Sequence, residues 1–173
     1  MIYAGVGSRE TPEDTLLLMC ALAAQLRTTG WTLRSGAAPG ADTAFERGAT
    51  DEFTDYSGVE IYLPWAGFQG RKIAKLHAPL AAAYPIAETY HPAWDRLSRG
   101  GRALQARNVH QMLGPNIGKP VLPKMVVCWT PRGKGGGGTG QAIRMALGHG
   151  VPVYDLAKSD VRKRIEEFVL AAA

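Results

Sequence analysis

Apolar and polar positions along this chain fall into short blocks, and their period switches between that of a strand and that of a helix. Residues 2–6, IYAGV, form an apolar run of strand length that GSRE interrupts. Thr11-Pro12-Glu13-Asp14 then reads as a helix start, with Thr11 as the cap, proline in the first turn and an acidic residue three places after the threonine. Leu16, Met19, Cys20, Ala23 and Leu26 keep helical spacing, and Gly30 fits a left-handed C-terminal cap. Strand-like runs recur at 31–34, 59–63, 125–129 and 151–154, and helical patterns open at ADTAFERGA and QAIRMALGHG. A last helix, capped by Ser159 or Asp160, carries Val161, Ile165, Phe168 and Val169 on one face. Between residues 71 and 113 the pattern is helical but broken at Pro79, Pro85, Pro92, Gly100 and Gly101, which predicts a helical insertion.

Strand and helix alternate, and the strands are short and uniform. That order predicts a single α/β domain over 1–173: a Rossmann-like, doubly wound parallel sheet with helices on both faces. A chain of 173 residues can bury a sizeable core without a disulfide or a metal. Cys20 and Cys128 each sit in an apolar run and are expected as reduced core thiols. His77, His91, His110 and His149 lack metal-ligand spacing, so neither a metal nor a resident cofactor is expected. No apolar run approaches the ~20 residues of a membrane span. The first residues lack the basic and apolar regions of a signal peptide, and the expectation is a cytoplasmic protein without membrane contact.

In open α/β sheets, ligands bind beyond the carboxyl ends of the strands. Three glycine-rich segments follow the first, second and fourth predicted strands at those ends: GVGSRE, SGAAPGAD and GKGGGGTGQ. Glycine lets a backbone approach a phosphate closely, and a helix N-terminus offers free N–H groups to an anion. Two of the loops run into helices, after Gly40 and after Thr139. Asp42 reads as a cap of the second helix, and Arg9 with Arg107 and Asn108 as charged and hydrogen-bonding partners of a phosphate. None of the loops is a P-loop or a standard dinucleotide fingerprint. Trp31 and Phe45 are expected in the core, and Trp94 and Tyr90 in packing. Trp65 and Phe68 follow the third strand, where a base could stack, and Trp129 could flank a ligand.

Charge sharpens this. Residues 1–70 carry a net −5, residues 71–144 a net +10 and the remainder zero. A cationic middle, including Arg96, Arg99, Arg102 and Arg107, favours an anionic partner, whether nucleotide or nucleic acid.

The set GSR, SGAAPGADTAFERGA, ARN and GGTGQAIRMA followed by GVPVYDL resembles the DprA-like (DNA-processing protein A) branch of the SLOG superfamily. These are Rossmann-like domains named from the Smf/DprA and Lonely Guy families, and the chain is similar to their small, stand-alone, phage-encoded versions. The resemblance implies a nucleotide-type ligand held by Gly7, Ser8, Arg9, Ser35, Gly36, Gly40, Asp42, Arg107, Asn108, Gly137, Gly138 and Thr139, with Trp65 and Gln141 as further candidates. It also implies a homo-oligomer. Lonely Guy proteins are phosphoribohydrolases with a catalytic glutamate shortly after their Gly-Gly-x-Gly-Thr. Here Gln141 stands two places after Thr139, and a neutral amide cannot act as a general base. Three functions follow as expectations. The first is a binding protein that senses or sequesters a nucleotide or NAD-derived small molecule. The alternatives are a DprA-like single-stranded DNA binder and a nucleoside-monophosphate N-glycosidase.

Overall fold

The computed structural model describes residues 1–171. It is a five-stranded, all-parallel sheet with strands β1 (Ile2–Gly5), β2 (Thr32–Ser35), β3 (Val59–Ile61), β4 (Val126–Cys128) and β5 (Val153–Asp155). The spatial order is β3-β2-β1-β4-β5. Six α-helices connect or cover the strands: α1 (Glu13–Thr28), α2 (Ala41–Ala49), α3 (Ala83–Thr89), α4 (Arg99–Leu113), α5 (Gly137–Gly148) and α6 (Ser159–Leu170).

Strand alternation sends successive side chains to opposite faces. Tyr3, Leu33 and Val127 pack with Met19, Leu22, Ala23, Leu26 and Phe45 of α1 and α2, and Val161, Ile165 and Val169 of α6 join them. Ala4, Val6, Val126 and Cys128 face the other way, onto α3, α4 and α5. The predicted doubly wound α/β domain with helices on both faces is therefore present. Phe168 departs from the predicted face of α6 and is exposed. Cys20 is only half-buried, whereas Cys128 is buried, and both are free thiols. Among the described residues, no helix is long and apolar enough to cross a membrane.

Several boundaries differ from the sequence pattern. Gly30 has a positive φ of 75° and ends α1, as its position suggested, but the cap also uses the next residue: Trp31 N–H donates to Leu26 O at 3.0 Å. Val151 N–H donates to Ala146 O at 2.8 Å in the same way behind Gly150. An amide closing a helix cannot also serve a ladder, so β2 and β5 start later than their apolar runs. At β3, Leu63 N–H turns to Leu76 O at 2.9 Å, and the chain leaves β2 before the run ends. Thr11 does not cap α1; its hydroxyl donates to Ser8 O at 2.7 Å, inside the loop. No described side chain caps α6 either, so neither Ser159 nor Asp160 fills the predicted role. The stretch 71–82 contains no helix, and helical structure in the predicted insertion is confined to α3, one short turn at Trp94–Arg96, and α4.

The helices α1 and α2 meet backbone to backbone at Gly48. A Cβ there would lie 2.9 Å from the Ala24 nitrogen and overlap the Cys20 carbonyl. The Gly48→Ala variant should therefore lose about 1–3 kcal/mol despite its better helix propensity, read as a lower urea midpoint with an unchanged m-value. A midpoint at or above that of the wild type would show that the two helices can separate freely.

Candidate functional site

The sheet order reverses between β1 and β4. The connection after β1 turns toward β2 and the connection after β4 toward β5, so the two loops diverge and leave a crevice between them. That crevice has a volume of about 780 Å³. Its walls are the β1–α1 loop, the first turn of α5, and one side of α4.

The first two loops are locked together by close approach. Gly40 precedes α2 with φ 86°, and a Cβ on it would sit 2.9 Å from the Ser8 carbonyl. Ser8 N–H extends the β1–β4 ladder by donating to Trp129 O at 3.3 Å. Its Oγ accepts from Glu10 N–H at 3.1 Å, which leaves the Arg9 and Glu10 side chains exposed at the mouth.

The second loop is satisfied from within. Asp42, on the first turn of α2, does not cap its own helix. Its Oδ2 accepts from the N–H groups of Gly36 at 3.2 Å and Ala38 at 3.3 Å. Arg107 reaches the same oxygen from α4 at 3.4 Å and also donates to Gly36 O. Burial pushes the Asp42 carboxyl up, against the pull of Arg107 and the loop amides. Burial likewise pushes Arg107 down, against Asp42 and Glu46. A carboxylate thus occupies the amide groups that the sequence assigned to a phosphate. One residue deeper, Ser35 Oγ donates to Glu46 Oε1 at 2.5 Å, and Arg71 lies 2.5 Å from Glu46 Oε2. Burial raises the Glu46 carboxyl to about 7, with Arg71 and the Ser35 hydroxyl opposing the shift.

The third loop is open. The last four residues of the predicted GGGGTG loop are helix, and Gly137, Gly138 and Thr139 form the first turn of α5. No described side chain caps that turn, and its N–H groups lie beyond the reach of intrahelical carbonyls. The approach to it is held by Thr130, which donates to Asp155 at 2.5 Å and accepts from Gly135 N–H at 3.1 Å. Arg132 and Lys134 stand exposed beside it, and neither they nor Arg9 join an ion pair among the described residues.

The crevice brings together Gly7, Ser8, Arg9, Asp42, Arg107, Asn108, Gly137, Gly138 and Thr139 from the predicted set. Ser35, Gly36, Gly40, Trp65 and Gln141 do not line it. Ser35 is turned to Glu46, and Gly36 lies under the Arg107 guanidinium. Trp65 is 44% exposed, edge-on to Phe68 at 5.1 Å and beside Gly100 at the start of α4. Gln141 is fully buried; it accepts from Asn108 at 3.0 Å and donates to Ala87 O at 3.0 Å, tying α5 to α3 and α4. The sequence reading missed Gln105, Gln111, Arg132 and Lys134 in the lining. A signal for the first two existed, since Gln105, Asn108 and Gln111 recur every three residues on α4.

No protein-family model and no curated protein matches the sequence. The fold is that of a solved structure of DNA processing protein A from Helicobacter pylori, described for its single-stranded DNA binding mode. The match has a TM-score of 0.55 at 17% identity and covers 99% of this chain and 79% of that one.

Glu46 gives the site a pH signature. Its carboxyl binds a proton more tightly folded than unfolded, where its ordinary value is 4.5. Its contribution to stability is therefore complete below about pH 4.5 and is lost as the pH rises through about 7. Relative to Glu46→Gln, the wild type should lose about 2–3 kcal/mol between pH 4.5 and pH 8, measured by urea unfolding across that range. Parallel pH profiles for the two proteins would show that Arg71 keeps the carboxylate ionised throughout.

Proposed function

We propose that this chain binds single-stranded DNA, with a backbone phosphate seated on the first turn of α5 and Arg9, Arg132 and Lys134 around it. The observation that carries this reading is the uncapped N-terminus of α5 opening into a crevice at the reversal of the sheet order. A helix start of this kind favours an anion through both its free N–H groups and its partial positive charge. The fold shared with DNA processing protein A supports a strand as the ligand, and the same reading places the chain in the DprA-like branch that its motifs resemble.

A free nucleotide is the second reading. It is favoured by the size of the crevice, about 780 Å³, which lies within the range of small-molecule sites. Both readings use the same phosphate seat, and they differ in whether a chain of phosphates adds affinity.

Fluorescence anisotropy with a labelled oligothymidylate and with thymidine monophosphate as competitor separates them. The strand should bind with a log–log salt slope of about −2, as three cations predict at ~0.7 per charge for single strands. Gly138→Asp places a carboxylate on the seat at a position with room for a Cβ, and should weaken strand binding at least about tenfold while leaving the fold intact. Unchanged binding in that variant would rule out the α5 seat. Competition by the monophosphate at equal molar affinity would favour the free nucleotide.

A further inference from the structure

The floor of the crevice holds more hydrogen-bonding capacity than the protein uses. Gln111 is 1% exposed, and neither its Oε1 nor its Nε2 has a hydrogen-bond partner among the described residues. Gln105 is 9% exposed, and its Oε1 is equally unpartnered. Both residues line the crevice. Buried side-chain polar atoms are normally paired, because desolvation without a new hydrogen bond is unfavourable. Two unpaired carboxamides on the lining of one cleft are therefore a feature to be accounted for.

Their placement along α4 is ordered. Asn108 Nδ2 donates to Gly138 O at 3.2 Å, and a Cβ on Gly138 would lie 3.4 Å from Gln105 Nε2, so this part of α4 adjoins the phosphate seat. Gln111 lies one turn further along, and the run from Gln105 to Gln111 spans about 9 Å of helix. The terminal torsion of a glutamine is soft, so the Gln111 carboxamide can turn toward a group that enters. It then offers an acceptor and two donors side by side. The complement is a planar edge with a donor next to an acceptor, which every nucleobase carries and which adenine presents at N6 and N7.

We infer that the crevice reads a nucleobase: Gln111, with Gln105 beside it, pairs with the base edge of the nucleotide whose phosphate sits on α5. This rests on the phosphate seat proposed above and adds to it a base-dependent subsite. The base belongs either to a strand or to a free nucleotide, and the chemistry at Gln111 is the same.

The test compares labelled oligodeoxynucleotides of the four bases with an abasic strand of equal length, and the four nucleoside monophosphates with ribose 5-phosphate. The wild type should bind the best base-bearing probe about 10- to 100-fold more tightly than its abasic counterpart. Gln111→Leu should bring that probe down to the abasic level, leave abasic affinity unchanged, and leave the melting temperature equal or higher, since an unpaired buried amide is removed. Gln111→Asn, which keeps the amide but withdraws it by one methylene, gives the same readout should leucine disturb the core. The inference is overturned if base-bearing and abasic probes bind the wild type equally, or if Gln111→Leu weakens both alike. If no probe binds at all, the phosphate seat fails first and the base subsite with it. The strand and monophosphate arms show which source supplies the base.

Discussion

The architecture of the site depends on one buried ion pair, Arg107 to Asp42, seated beneath the β2–α2 loop. Both groups lose solvation, and neither would be tolerated alone, because an unpaired buried charge costs several kcal/mol. Asp42 also accepts from the Gly36 and Ala38 amides, and Arg107 donates to the Gly36 carbonyl. The pair therefore fixes three things at once: the path of the loop, the start of α2, and the position of α4 against the sheet. Gly36 has to be glycine for this, since any Cβ would overlap the guanidinium.

This arrangement divides the work among three loops that look alike in sequence. The β2–α2 loop spends its amide groups on Asp42. The β1–α1 loop spends its amides on the β4 ladder and on Ser8, and contributes Arg9 and Glu10 to the mouth. The β4–α5 loop spends the Gly133, Lys134 and Gly135 amides on its own base, where Thr130 and Asp155 hold it, and leaves the first-turn amides of α5 without a described cap. Glycine content marks all three, but the third brings an uncapped helix start beside Arg132 and Lys134, which join no ion pair among the described residues. The start of α5 thus keeps its partial positive charge uncompensated among the described side chains, whereas Asp42 sits on the first turn of α2.

The fold was legible in the sequence because its signals were local. The strands are short and centred on apolar residues, Pro12 and Gly30 bracket α1, and Met19, Ala23 and Leu26 of the expected stripe are buried, with Leu22 in place of the half-buried Leu16 and Cys20. The site was legible only in part. Proximity of the three loops follows from strand order, which parallel alternation implies. The roles of Asp42, Ser35 and Gln141 do not follow, because their partners Arg107, Glu46, Asn108 and Ala87 are set by packing between distant segments. Trp65 shows the same limit: it follows a strand, as a rim residue should, but its ring packs edge-on to Phe68 and is not part of the crevice lining.

Charge counting is the sharpest case. The segment 71–144 has a net +10, yet its cations do not form one field. Arg71 is committed to Glu46, Arg107 to Asp42, and Arg144 to the Tyr90 carbonyl, while Arg102 lies over the Trp94 ring at 5.5 Å. Each of these fastens one part of the domain to another and is unavailable to a partner without loss of that contact. What remains at the crevice is a small cluster, Arg132 and Lys134 from this segment and Arg9 from the acidic one. Arg9 is carried in by the β1–α1 loop, so the cationic mouth is assembled across a boundary that the running charge places between opposite signs. Three cations at one cleft would give any anionic ligand a shallower salt dependence than the running charge of +10 suggests.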